Sequence, residues 1–158
     1  GESIERVIHS VRTLDKSGVE QTLQKNHIPF KYRSSGIGEA LIVEAQFELP
    51  KDLSKECKAK LDEYRDYRAN TQDLHHPSAG CMFKNPSDSK CSSGKLIEDA
   101  GLKGFTVGRA QVSEKHANYI INLGGATEKD VKNLIEKIRQ TVKAKFNITL
   151  ETEVKILS

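Results

Sequence analysis

Residues 118–131, NYIINLGGATEKDV, contain the pattern that decides the fold. The apolar run at 119–121 predicts a short buried strand, and the glycine pair at 124–125 predicts a turn after it. Thr127 and Asp130 are three residues apart, which is the spacing of a helix N-cap pair. The sequence therefore predicts a strand, a turn and a helix in direct succession.

The segment after this turn predicts a helix and then a last strand. The helix is expected to end near Asn147, and its apolar residues recur at helical spacing. From Ile148 to Ile156 apolar and polar residues alternate, which is typical of a strand with one buried face. Strand, helix and strand in this order predict a β-α-β unit within an α+β sandwich. The apolar stripe of the helix comprises Val131, Leu134, Ile135, Ile138 and Val142.

The N-terminal part of the chain also shows strand patterns. Residues 4–14 and 19–23 are rich in β-formers, and the DKSG tetrapeptide at 15–18 between them is a hairpin signal. Residues 41–49 alternate between apolar and polar side chains, so we predict a half-buried strand that Pro50 ends. Its inward face is expected to comprise Leu41, Val43, Ala45, Phe47 and Leu49.

A long helix and a domain boundary are predicted next. Apolar residues at helical spacing favour a helix over about 53–70. Cys57 lies on the apolar stripe of this helix, so we expect it to pack in the core. Residues 71–80 change to a polar, Pro-, His- and Gly-containing composition that is typical of a boundary. We therefore predict two domains, 1–71 and 72–158. The helix stripe comprises Leu53, Cys57, Leu61 and Tyr64.

The composition limits the class of protein. The chain has 158 residues, of which 36% are apolar and 30% are charged, so it can bury a core. Its 25 basic and 22 acidic residues are mixed along the chain, which gives no case for nucleic acid or a membrane surface. We see no apolar run of membrane-spanning length and no signal peptide. Three widely spaced cysteines argue against a disulfide framework and favour a reducing, cytoplasmic setting.

Residues 79–86, AGCMFKNP, place a thiol behind a flexible glycine and ahead of a cation, an amide and a proline. Lys84 and Asn85 are rarely buried without partners, so a packed core segment is disfavoured. Cys81 has three open interpretations. It donates a proton to a carbanion, it attacks as a thiolate beside a base, or it is an inert cysteine in a surface turn.

Other polar groups are weaker candidates. Arg33 beside two serines and two glycines suits a carboxylate or phosphate, although an exposed turn explains it equally well. Residues 113–118, SEKHAN, form either the polar lip of a pocket or a solvated connection. Glu153 shares a strand face with Glu151, which alone is a weak signal. A zinc site is disfavoured because its four candidate ligands lack paired spacing: His75, His76, Cys81 and Cys91.

Five segments in this order resemble the UDP-N-acetylenolpyruvoylglucosamine reductase family. They are FKYRSS at 30–35, PSAGCMFKNP at 77–86, GKLIEDAGLKG at 94–104, AQVSEKHANYIIN at 110–122 and LETEV at 150–154. The resemblance implies an oxidoreductase of peptidoglycan synthesis. NADPH reduces a bound FAD, hydride then passes to C3 of UDP-N-acetylglucosamine enolpyruvate, and an enzyme acid protonates C2 to give UDP-N-acetylmuramate.

The resemblance also implies site residues. Arg33 matches the family residue that holds the substrate carboxylate, and Glu153 matches a second catalytic position. Cys81 occupies the proton-donor position, where the family usually has serine. A thiol is more acidic than an alcohol, so the exchange is chemically tolerable. No metal is implied. The positions expected to contact substrate are Tyr32, Lys84, Asn85 and His116.

The family also has upstream Gly-Ser-Asn and Ile-Pro-Gly segments that hold the FAD pyrophosphate, and these are not in this sequence. We therefore expect the back of the FAD-binding domain in 1–71, an α/β sandwich for substrate in 72–158, and little FAD binding or activity by this chain alone. We expect a cytoplasmic monomer. Two alternatives stay open: a nucleotide-sugar binding module without redox activity, and a thiol-dependent transferase that uses Cys81 with one of the histidines His75, His76 or His116.

Overall fold

A computed structural model describes residues 3–51, 54–87 and 89–156, without the side chains of residues 54 and 55. Its internal contacts divide the chain into two compact units, Gly1–Cys57 and Lys58–Ser158, and each is described by itself below. The predicted helix start at Leu53 lies outside the described residues. No helix in these ranges is both long enough and apolar enough to cross a membrane.

Unit 1 contains a three-stranded antiparallel sheet in the order β2-β1-β3. The strands are β1 (Ile8–Leu14), β2 (Glu20–Gln24) and β3 (Leu41–Phe47). The predicted hairpin is confirmed, because Asp15 Oδ1 accepts the backbone N–H groups of Ser17 and Val19 and closes the turn. The strand prediction for residues 4–7 is wrong: Ile4–Arg6 form a short 3-10 helix that the Ser3 side chain caps.

The burial predicted for β3 is wrong although the strand itself is confirmed. Leu41, Val43 and Phe47 of its expected inward face are 62%, 41% and 49% exposed, and Ile42 of the other face is 51% exposed. The apolar cluster of unit 1 is centred on Ile8, Val11 and Ile28, and of the expected inward face only Ala45 packs against it. The alternation of apolar and polar residues therefore predicted the strand correctly. Its apolar face, however, is not covered by other described residues of unit 1.

Helix α1 (Ser54–Thr71) confirms the predicted helix, but its expected core face is wrong. Every residue from Glu56 to Asn70 is exposed, including Cys57, so Cys57 does not pack in the core. Leu61 and Tyr64 are 48% and 60% exposed. The physical reason is that charged residues separate the few apolar positions, so the stripe is too sparse to bury a helix.

Unit 2 contains an antiparallel four-stranded sheet in the order β4-β7-β6-β5. The elements are β4 (Ser78–Cys81), α2 (Ser93–Asp99), β5 (Thr106–Val107), β6 (Ala110–Val112), β7 (Tyr119–Asn122) and α3 (Glu128–Phe146). Helix α3 contacts β5, β6 and α2, so one helical layer covers the sheet. This arrangement confirms the α+β class.

Helix α3 forms for the reasons that the sequence indicates. Thr127 Oγ1 accepts the N–H of Asp130, and the Asp130 carboxylate accepts the N–H of Thr127, which completes a capping box. Asn147 ends the helix in the left-handed conformation at φ 57°. The residues of the stripe that are fully buried are Leu134, Ile135, Ile138 and Val142.

The predicted last strand, and with it the β-α-β unit, is wrong. Residues 148–156 are irregular, and one isolated antiparallel bridge joins Thr152 to Phe83. The backbone of this segment bonds to residues 82–84 beyond the end of β4 rather than to a strand of the sheet, so no ladder forms. The alternation reflects anchoring in the core instead, since Leu150 is 1% exposed while Ile148 and Val154 pack against the core cluster.

Candidate active site

The thiol of Cys81 lies where β4 bends at the edge of unit 2. Gly80 precedes it at φ +81°, a conformation that favours glycine. The register between β4 and β7 is irregular between Ser78 and Cys81, and Cys81 pairs with Tyr119. A bulge of this kind redirects a side chain at the end of a strand. Cys81 is half-buried as a result.

Asn118 fixes the segment that follows Cys81. Its side-chain oxygen accepts the Phe83 N–H at 3.0 Å, and its amide nitrogen donates to the Phe83 carbonyl at 2.8 Å. Its own carbonyl accepts the Met82 N–H at 2.8 Å. Asn118 is 4% exposed, so these bonds form in a dry setting where an unpaired backbone group is costly.

Glu153 is placed beside the same segment by the C-terminal residues. Its backbone N–H donates to the Met82 carbonyl at 2.8 Å, and the Lys84 N–H donates to the Glu151 carbonyl at 2.9 Å. The burial of Leu150 anchors the segment in the core. Glu153 therefore lies next to the residue that follows Cys81, although 71 positions separate Met82 and Glu153 in the sequence.

The Tyr119 hydroxyl hydrogen-bonds to the Cys81 side chain and is within electrostatic range of Glu153. Burial raises the pKa of Tyr119. The charge of Cys81 in its thiolate form, the hydrogen bond to the Cys81 side chain and the charge of Glu153 raise this pKa further. The Arg68 guanidinium acts on this pKa in the opposite direction. Four ionisable groups from α1, β4, β7 and the C-terminal segment therefore share one neighbourhood in unit 2.

His116 packs against this group. Its ring centroid lies 4.5 Å from that of Tyr119, at an interplanar angle of 39°. Nδ1 accepts the Asn118 N–H at 3.2 Å, so the neutral ring carries its proton on Nε2. Burial lowers the pKa of His116, and the charge of Lys103 lowers it further. His116 is therefore held in the neutral form.

Lys84 and Asn85 connect the thiol segment to α2. The Asn85 side-chain oxygen accepts the N–H of Ser93 at 3.0 Å, and the Ser93 hydroxyl donates to the Lys84 carbonyl. The Lys84 ammonium lies 3.5 Å from the Glu151 carboxylate. The side-chain oxygen of Asn85 is thus used by the fold, and its amide N–H₂ is the group suited to a ligand.

Arg33 and Tyr32 belong to unit 1. Arg33 adopts the left-handed conformation at φ 56°, which is uncommon outside glycine and is found often at functional sites. The turn is closed by reciprocal backbone bonds between Lys31 and Ser34. The Arg33 guanidinium carbon lies 5.8 Å from the Tyr32 ring centroid, and Tyr32 is 63% exposed. The convergence of Arg33 with Cys81 and Glu153 stays a prediction.

Sequence reasoning assigns no individual role to three contributors to the site. The sequence pattern assigns Tyr119 only to a strand, and the pairing of β4 with β7 that places it opposite Cys81 has no signal in the sequence. Arg68 is one of many charges on a predicted helix, and nothing local distinguishes it. Asn118 belongs to a polar connection, and its position just before an apolar run is the only available signal.

Metal ligation finds no support in the described ranges, where no three His, Cys, Asp or Glu side chains converge. His76 instead bonds to Asp73, at 2.8 Å, and this bond, with the His75 N–H, lowers the pKa of Asp73 to about 2. A groove of about 550 Å³ in unit 2, between the C-terminal end of α2 and α3, is lined by none of the predicted site residues.

Comparison with known proteins identifies the family. Residues 72–157 match the family model described as UDP-N-acetylenolpyruvoylglucosamine reductase, C-terminal domain. This match covers more than half of the chain. The chain belongs to this reductase family. Four of the five segments that carry the resemblance lie within this match, and the predicted family is confirmed.

Curated relatives match nearly the whole chain. The UDP-N-acetylenolpyruvoylglucosamine reductase of Pediococcus pentosaceus is 41% identical over 156 residues, which is 98% of this chain and 51% of that protein. The reductase of Listeria innocua is 42% identical over 159 residues, covering 99% and 53%. The chain spans about half the length of the curated relatives it matches.

A solved structure agrees with the fold. The crystal structure of UDP-N-acetylenolpyruvylglucosamine reductase from Thermus caldophilus superposes with a TM-score of 0.79 at 30% sequence identity. The match covers 96% of this chain and 53% of that chain.

Proposed function

We propose that this chain forms part of an enzyme that reduces UDP-N-acetylglucosamine enolpyruvate to UDP-N-acetylmuramate with NADPH and FAD. The reaction is proposed to take place in the cytoplasm, as a step of peptidoglycan synthesis. The family membership supports the reaction class. The observation that carries the proposal for this site is the shared neighbourhood of Cys81 and Glu153 around the Tyr119 hydroxyl, because both residues match catalytic positions in the family's motifs.

No group of the described residues offers an evident cradle for the diphosphate of FAD. In the described ranges, the loop between β7 and α3 has two glycines at positive φ ahead of a helix N-terminus, where a diphosphate is often bound. That terminus is already closed by Thr127 and Asp130, and the Asp130 carboxylate repels an anion. The loop does not fit FAD, and the roles below are those of the protein side chains alone.

Cys81 is proposed as the acid that protonates C2 of the enolpyruvyl group. The reaction adds a hydride at C3, and the negative charge that develops at C2 takes a proton. A free cysteine thiol, whose pKa is about 8.5, is mostly protonated at neutral pH, and a thiol donates a proton more readily than the hydroxyl of serine. Its half-buried position at the bend of β4 leaves part of the side chain accessible to a substrate.

Arg33 and Glu153 are proposed to assist this step, by stabilising the negative charge of the intermediate and by orienting the proton path. Arg33 holds the substrate carboxylate, for which a guanidinium is suited by its planar pair of N–H donors. This interaction stabilises the enolate-like charge at the transition state. Glu153 is proposed to orient a proton path to Cys81, and its backbone hydrogen bond to Met82 and its electrostatic effect on Tyr119 support this role.

The substrate contacts are proposed for the other predicted residues. The Lys84 ammonium suits the diphosphate of the nucleotide, and the Asn85 amide suits a sugar or base oxygen. Neutral His116 offers its Nε2 proton as a donor rather than a charge. Tyr32, largely exposed in unit 1, offers an aromatic face and a hydroxyl.

The test uses a full-length reductase that carries this chain, purified with FAD. We expect NADPH oxidation that depends on UDP-N-acetylglucosamine enolpyruvate and yields UDP-N-acetylmuramate. Tight substrate binding without any turnover would favour the alternative of a binding module. Loss of turnover after thiol alkylation, with a labelled reaction intermediate bound to Cys81, would favour the thiol-dependent transferase.

A further inference from the structure

The hydroxyl of Tyr119 lies opposite the Cys81 thiol across two strands. Cys81 and Tyr119 are registered partners in the β4–β7 pair, both are half-buried, and their side chains hydrogen-bond. Partners that face each other across antiparallel strands have Cβ atoms about 4.5–5.5 Å apart, which is within reach of an aromatic side chain. The contact therefore follows from the register of the sheet.

A second set of contacts positions the Tyr119 ring. The His116 ring packs against it at 4.5 Å between centroids. Asn118, the residue before Tyr119, is bonded to both Met82 and Phe83, the two residues after Cys81. The hydrogen bonds of these neighbouring residues hold the two strands in register and so keep the Cys81 and Tyr119 side chains facing each other.

We propose that Tyr119 is a positioning residue for the acid Cys81, whose sulfur accepts a hydrogen bond from the Tyr119 hydroxyl during proton transfer to the substrate. The proposal rests on the proposed function and deepens it. Because the hydroxyl donates to a sulfur lone pair, the hydrogen on sulfur stays available for C2. The raised pKa of Tyr119 keeps the hydroxyl protonated, and so keeps it a donor, over the neutral range.

The proton step balances without any further reactant. The S–H bond of Cys81 breaks, and its proton joins the electron pair at C2 to form the new C–H bond. The sulfur is left as a thiolate, which is when a hydrogen bond from Tyr119 gains most, because hydrogen bonds to charged groups are stronger than neutral ones. A proton from solvent restores the thiol before the next turnover.

The kinetic test compares Tyr119→Phe with Tyr67→Phe in the full-length reductase. Tyr119→Phe removes the hydroxyl and keeps the ring beside His116, whereas Tyr67, 65% exposed on α1, is the matched control. We expect flavin reduction by NADPH to be unchanged in both variants. Reoxidation by substrate is expected to slow about tenfold in Tyr119→Phe only, the effect of one lost hydrogen bond to a charge. Equal reoxidation rates in the two variants would overturn the proposal.

A double variant distinguishes positioning from a structural role. If Tyr119 acts through Cys81, adding Tyr119→Phe to Cys81→Ala slows reoxidation no further. A further tenfold slowing in the double variant would show that Tyr119 acts independently of the thiol, and the proposal would be wrong.

A second readout needs no turnover. The pH profile of iodoacetamide labelling at Cys81, followed by peptide mass spectrometry, is expected to move to higher pH in Tyr119→Phe and to stay in place in Tyr67→Phe. An unmoved profile overturns the role of Tyr119 and leaves the proposed reductase function standing. Unchanged reoxidation in Cys81→Ala overturns the roles of both Cys81 and Tyr119, whereas the absence of substrate-dependent reoxidation in the unsubstituted reductase overturns the proposed function.

Discussion

The two units differ in how far their apolar residues are buried. In unit 2 the side chains of Phe83, Ile97 and Leu134 are at most 1% exposed and belong to one continuous cluster. In unit 1 the buried apolar residues are Ile8, Val11 and Ile28, while β3 keeps its apolar residues largely exposed. Both units have regular hydrogen-bonded strands. The difference shows that backbone pairing forms a sheet, and that stability depends on whether a second layer covers it.

The same substitution in each unit tests this difference most strongly. Phe83→Ala in unit 2 is expected to cost about 3–5 kcal/mol of unfolding free energy, because it empties a buried site. Phe47→Ala in β3, where the side chain is 49% exposed, is expected to cost less than about 1 kcal/mol. Amide hydrogen exchange measures the opening free energy in each unit separately. Similar losses in the two variants would refute the comparison.

Removing the side-chain hydrogen bonds between Asn118 and Phe83 is expected to have the next largest effect on stability. Asn118→Ala leaves the buried N–H and C=O groups of Phe83 without their partners, and we expect a loss of about 2–3 kcal/mol. The control is Asn122→Ala, since Asn122 bonds the N–H groups of Gly124 and Ala126 in a more open turn. Thermal unfolding should give a lower midpoint for Asn118→Ala than for Asn122→Ala. An equal shift in the two midpoints would mean that the Asn118 hydrogen bonds stabilise the fold no more than those of Asn122.

Removing a helix cap is expected to have a smaller effect on stability, and this effect is expected to differ between the two units. Thr127→Ala breaks the capping box of α3, whose stripe is buried, and should cost about 1 kcal/mol. Ser3→Ala removes the cap of the short 3-10 helix in unit 1, and we expect a loss of a few tenths of a kcal/mol. Urea denaturation of the chain can test both. A larger effect for Ser3→Ala would indicate that unit 1 contributes more stability than its burial suggests.

The protonation of His116 is expected to have the smallest effect on stability. Burial and Lys103 lower the pKa of His116, so below the ordinary value of 6.5 the unfolded chain binds more protons than the folded chain. The stability that His116 contributes is therefore present above pH 6.5 and falls as the pH drops from there through the folded pKa. Lys103→Gln should raise the NMR titration midpoint of His116, while Lys115→Gln, whose ammonium bonds the Ala69 carbonyl, should leave it in place. The reverse result would contradict this cause.

The features that the sequence predicted correctly are those with local causes. Thr127 with Asp130 predicted the start of α3, and the glycines at 124 and 125 predicted the turn before it, because caps and turns depend on residues a few positions apart. The family segments also name Cys81 and Glu153 as candidates from local motifs, and their catalytic roles stay a prediction.

The features that the sequence did not predict depend on distant partners. The exposure of Phe47 depends on what covers β3, which no local pattern contains. The alternation at 148–156 suggested a strand, but the segment bonds to residues 82–84 outside the sheet. The pairing of Cys81 with Tyr119 depends on the β4–β7 register, including an irregularity that hydrophobic alternation does not specify.

The central claim is that Cys81 supplies the proton at C2, and stopped-flow absorbance of the two half-reactions tests it most directly. In a full-length reductase carrying this chain, Cys81→Ala should leave flavin reduction by NADPH unchanged. Reoxidation by UDP-N-acetylglucosamine enolpyruvate should slow about 10²–10⁴-fold, the usual effect of losing a general acid. Cys81→Ser should keep substantial turnover, because a hydroxyl can replace the thiol as donor. Unchanged reoxidation in Cys81→Ala would contradict the claim and would mean that another group donates the proton.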